Sequence, residues 1–110
     1  MANTFTRKTS RNIGATATDI GAYTVPSATT TIVIGLVCTN TTGSAITANV
    51  FLANATANTY IVANAPISSG ASLIPVGGDQ KIVMITGDKM YVQSSAGSSI
   101  DTVMSIMEIT

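Results

Sequence analysis

The chain has 110 residues, a formal net charge of zero and 9% charged residues, where an ordinary soluble domain carries about 25%. That length makes one domain, able to bury a core without disulfides or metal, and the single Cys38 has no internal partner. The chain has no His, so it lacks both the commonest acid–base residue and any His-containing metal site.

Residues 1–12, MANTFTRKTSRN, read as a basic arm ahead of a body that spans residues 13–110. The arm holds Arg7, Lys8 and Arg11, three of the five basic residues, and an isolated aromatic, Phe5. These four are the candidate partner-binding residues: Phe5 to anchor in a neighbour's groove, the cations to meet an acidic protein surface. The alternative for Phe5 is a frayed end that touches its own domain. The body is net acidic, with Lys81 and Lys89 against Asp19, Asp79, Asp88, Asp101 and Glu108. Charges and Thr/Ser stand where a signal peptide would need an apolar segment, and no apolar run approaches the about 20 residues of a membrane span. Synthesis in the cytoplasm is expected.

Ile13–Thr18 alternates small apolar residues with Thr and predicts an edge strand; Ala22–Val25 is a short extended piece ended by Pro26. Ile32–Cys38 is the most apolar run, β-branched and bounded by the turn cluster 40–44, which predicts a central strand buried on both faces, by one sheet and by a neighbouring layer or subunit. Cys38 within it reads as a small buried hydrophobe. Ala45–Ala53 follows with period two, Phe51 being the apolar exception on the polar face, and a hairpin with the central strand is expected. After the loop 54–58 come Thr59–Ala63, a bend at 64–66, then Leu73–Val76, Lys81–Ile85, Lys89–Ser94 and Asp101–Ile109, separated by Gly/Ser/Asp turns. The last strand is apolar on both faces, so it is either central or covered by another subunit. Short strands with turns every 8–12 residues predict an all-β, antiparallel β-sandwich, jelly-roll or Ig-like, of about eight strands.

Catalytic equipment is missing. Asp79 and Asp88 lie in Gly-containing turns that explain them, and no dense Asx loop supports a Ca²⁺ site. Gly77-Gly78 lacks the phosphate-loop pattern. No catalytic, cofactor or metal residue is assigned. Three cations suit a weak accessory contact, not a dedicated nucleic-acid binder. Phe5, Tyr23, Phe51, Tyr60 and Tyr91 are too scattered along the chain to read as a stacking platform.

Several segments together, MANTF, TIVIGLVCTNTTGSAITANVFL, YIVANAPISSGASL, VGGDQKIVM, TGDKMYVQSSAGSS and MSIMEIT, resemble small virion proteins of tailed bacteriophages, especially those of cyanobacteria and other marine bacteria. The resemblance covers most of residues 20–110; the basic arm has no match in it. It implies a non-enzymatic, trimeric β-sandwich subunit located in the virion, with itself and the major capsid protein or other virion proteins as partners. Capsid decoration (cement) is the first expectation, with the arm reaching onto the shell. A neck, tail or fibre-attachment subunit is the second. A carbohydrate- or host-surface-binding module using Tyr23, Tyr60 and Tyr91 is the third.

Overall fold

The computed structural model describes residues 2–54 and 57–110; residues 55 and 56 of the expected 54–58 loop lie outside the described residues. Among the described residues nine strands are present: β1 (Asn3–Ile13), β2 (Thr18–Asp19), β3 (Thr30–Asn40), β4 (Ile46–Ala53), β5 (Asn58–Ile67), β6 (Ser72–Val76), β7 (Ile82–Met84), β8 (Lys89–Ser94) and β9 (Ile100–Ile109). A single 3₁₀ turn, Ile20–Ala22, follows β2. All pairings are antiparallel. One sheet runs β1-β9-β3-β6, with β7 also on β3; the other runs β2-β8-β4-β5. With β6 and β7 counted as one interrupted strand, consecutive strands follow the jelly-roll order, which settles the choice between jelly-roll and Ig-like.

The core lies between the sheets. In β3, Thr31, Val33, Leu36 and Cys38 point inward and are fully buried, while their neighbours on the outer face are only half-buried. The central strand is therefore fully buried on one face and not, as its apolar run predicts, on both, and the position of β3 between β9 and β6/β7 satisfies both of its edges. In β9, Ile100, Met104 and Ile106 face the core and Val103 faces out. Burial pushes the Cys38 thiol up to about 12, so this side chain acts as a packing group.

Three further expectations are corrected. First, residues 1–12 are not a separate arm. Asn3–Ile13 forms an edge strand in register with β9, from Asn3 opposite Ile109 to Ser10 opposite Thr102. Its polar side chains resemble a tail, but the backbone ladder needs no apolar side chain. Second, Ile13–Thr18 is not one strand: Ile13 ends β1 and Thr18 begins β2. Third, β3 and β4 do not form a hairpin. The chain crosses at 41–45 to the opposite sheet, where β4 pairs with β5 and β8. The expected bend at 64–66 lies within β5, where Asn64 takes φ 51° and the register with β4 shifts. Pro66 is tolerated there because β5 is an edge strand.

The crossing is held by Asn40, whose side chain is fully buried. Its two amide N–H groups are shared among the carbonyls of Ser44 (2.8 Å), Ile67 (3.0 Å) and Ser68 (3.2 Å), and its oxygen accepts from the Thr42 N–H (2.9 Å). Each buried group left unpaired costs about 1–3 kcal/mol. Asn40→Ala is therefore expected to destabilise the domain by roughly 3 kcal/mol or more, a far larger loss than Asn58→Ala on the exposed edge. Guanidinium unfolding followed by circular dichroism checks this; a loss below about 1 kcal/mol would contradict it.

Candidate assembly surface

The most distinctive surface is the outer face of the five-stranded sheet. Phe5, Met107, Ile32 and Val83 are consecutive partners on β1, β9, β3 and β7, so they form one apolar row across four strands. Its ends are open to solvent: Phe5 is 71% exposed and Val83 57%. A second row pairs Val103 with Val37 and continues to Ile74 on β6, itself 62% exposed, beside a break in register with β3. Between the rows lie Ser105 and Gly35, opposite each other and small. Fully covering one such side chain contributes about 1.5–3 kcal/mol, so this face favours contact with another surface.

The candidate partner-binding residues divide between the two sides of β1. Phe5 and Arg7 are exposed on the outer face, Arg7 opposite Ser105. Lys8 turns inward: its stem lies against Gly21, where an added Cβ would come within 2.7 Å of the Lys8 Cβ, and its amine sits 5.1 Å from the Tyr23 ring centroid. Gly21 also has φ 63°, so glycine is required twice over. Arg11 is exposed near the C-terminal end of β1. Val83 and Ile74 escape sequence reading because their partnership with Phe5 and Val103 depends on register. Exposed apolar positions in short strands are the one signal that points to them.

The outer face of the other sheet carries an aromatic row that sequence reading misses. Phe51 lies between Tyr60 on β5 and Tyr91 on β8. The Phe51 and Tyr91 rings stack at 5.3 Å with 1° between planes, and Tyr60 lies 4.9 Å away at 37°. Three aromatics spaced 9 and 31 residues apart are thus neighbours, and Phe51 as the exception on a polar face was their signal. The row buries Phe51 and braces the sheet through cross-strand packing. Asp19 stands opposite Tyr91 at its end. Desolvation raises the Asp19 carboxyl above its usual range, partly offset by Lys89 and the Tyr23 N–H, and its Oδ1 is buried without a partner.

Tyr23 belongs to neither surface. Its hydroxyl donates to Glu108 Oε2 (2.7 Å) and lies 2.7 Å from Thr31 Oγ1, which is left to donate to it. Asp88 is a turn residue whose carboxylate accepts the Ile85 N–H (3.0 Å). Among the described residues no ligand-sized pocket opens and no group of three His, Cys, Asp or Glu side chains converges. Among the described residues no helix is long and apolar enough to cross a membrane.

Solved structures share this fold at low identity. The chain matches a structure of Bacillus endospore appendages, described as disulfide-linked pili, with a TM-score of 0.58 and 14% identity over 99% of this chain and 87% of that one. It matches a chain of the T13 IBDV viral particle with a TM-score of 0.59 and 9% identity, covering 96% of this chain but 30% of that one. A third match is the virus-like particle of the extra small virus of the giant freshwater prawn Macrobrachium rosenbergii, with a TM-score of 0.51 and 10% identity over 97% of this chain and 77% of that one. At these identities the likeness is one of fold: an antiparallel β-sandwich of the kind found in viral particles and a spore appendage. No protein-family model and no curated protein matches the chain.

The Tyr23–Glu108 contact makes stability depend on alkaline pH. Burial, then the Glu108 hydrogen bond, pushes the Tyr23 hydroxyl up to about 12 from an ordinary value near 10. Its raised value contributes stability that is complete below about pH 10 and is lost as the pH climbs towards 12. Unfolding free energies of wild type and Tyr23→Phe, compared from pH 9 to 12, are expected to converge with rising pH; parallel curves would contradict this.

Proposed function

We propose that the protein is a non-enzymatic structural component of a tailed-phage virion, a capsid decoration or cement protein that binds the outer shell as a homotrimer. The observation that carries the reading is the uncovered double apolar row on the five-stranded sheet, on a fold otherwise matched in particle-forming proteins. A sparsely charged surface supports the same reading, because a protein that lives against other protein needs fewer charges than a free monomer. The resemblance of residues 20–110 to small phage virion proteins supplies the host class. Phe5, Val83 and Ile74 meet the shell, and Arg7 and Arg11 face its acidic residues. Exposed ion pairs contribute only about 0–1 kcal/mol each, so apolar cover and multivalency carry the affinity.

A neck or tail position uses the same surface with a different copy number. Densitometry of purified particles separates them: hundreds of copies per particle are expected for decoration, tens or fewer for a neck or tail part. The half-exposed Tyr60 beside Phe51 and Tyr91 is the observation favouring a glycan-binding module, and a glycan array without hits would argue against it.

The apolar row has a direct test. Phe5→Ser with Val83→Ser is expected to leave the fold intact, since neither side chain is in the core, and to weaken attachment to stripped shells by roughly a hundredfold, about 3 kcal/mol. Co-sedimentation with shells measures it; undiminished binding would remove this face from the account.

A further inference from the structure

We propose that β1 is exchanged between copies: residues 3–10 of one chain complete the five-stranded sheet of the next by pairing with its β9, and three such exchanges close a ring. The inference deepens the homotrimer reading above by naming the element that joins the subunits.

Two observations lead there. First, β1 contributes almost nothing to its own core. Of its 11 residues only Ile13 is buried, and Lys8 and Ser10 are half-buried. What holds β1 is the backbone ladder to β9, the Ser10 Oγ that accepts the Gly21 N–H (2.8 Å), and Lys8 over Tyr23. Every one of these contacts can form identically on a second copy, so the closed and exchanged forms differ chiefly at the hinge.

Second, the hinge is visible. The ladder runs unbroken to Ser10–Thr102 and resumes at Ile13–Ile100. Arg11 and Asn12 thus span a single β9 residue, Asp101, whose Oδ1 accepts the Asn12 N–H (3.0 Å). Asn12 has φ 56°, the left-handed region that non-glycine residues enter at a cost. Beyond it the chain is anchored: the Ile13 carbonyl accepts the Ser99 N–H and the Gly14 carbonyl the Ser94 N–H. Straightening Asn12 releases the left-handed residue and carries residues 3–10 away from the body as one extended piece.

The test uses purified full-length protein at the concentration where it is oligomeric. Thr9 and Val103 are opposed across β1 and β9, so Thr9→Cys with Val103→Cys places a disulfide across the exchange. After oxidation, a denaturing non-reducing gel is expected to show covalent trimers. Internally bridged monomers alone would overturn the proposal. The hinge supplies a second readout that needs no disulfide. Asn12→Val disfavours the left-handed conformation and is expected to lower the concentration at half-assembly by roughly tenfold, while Asn12→Gly, at ease there, raises it. Light scattering that shows both variants unchanged, or shifted in the same direction, would also overturn it. Because both measurements use isolated protein, they decide the exchange independently of whether particles carry the chain.

Discussion

The architecture depends on one buried amide. Asn40 ends the central strand and bonds three carbonyls, at Ser44 where the chain climbs to the opposite sheet and at Ile67 and Ser68 where β5 ends. The same residue's backbone is bound to the turn before β6, its N–H donating to Ala71 and its carbonyl accepting from Gly70. Those bonds turn what would be a hairpin into a crossing between sheets. Once β4 is committed to the other sheet, β3 is left to pair with β9 on one side and β6 and β7 on the other. Both long central strands then bury one face only. The outer face with its two apolar rows is a direct consequence of that crossing.

Much of this was legible in the residues, because period-two patterns and turn clusters are local signals. The runs at 32–38, 89–94 and 101–109 are strands, and the apolar character of both faces of the last strand corresponds to a core face and an outer face. What was not legible depends on partners distant in sequence. The basic, Thr-rich start has no apolar pattern, because β1 is held through its backbone and through Lys8 and Ser10 against the 3₁₀ turn. The crossing at 41–45 carries the same Asn-Thr-Thr-Gly-Ser signature as a hairpin turn, and only the three acceptors of Asn40 distinguish them. The aromatic row and the Phe5–Val83 row are products of register, which no single stretch of sequence records.

Of the four sheet edges, those of β5 and β1 are managed differently. β5 is interrupted by the left-handed Asn64 and by Pro66, features that blunt a strand edge against further pairing. β1 has neither until Asn12, and its free edge is guarded by charge alone. A sandwich with one blunted edge, one long basic edge strand and one apolar face has directional surfaces for neighbours.

The most direct measurement of the proposed role is a reconstruction by electron cryo-microscopy, at side-chain resolution, of phage particles proposed to carry this chain. The account requires the chain at many equivalent positions on the shell, with Phe5, Ile32, Met107 and Val83 covered by protein. Particles in which that row faces solvent, or in which the chain is absent, would contradict it.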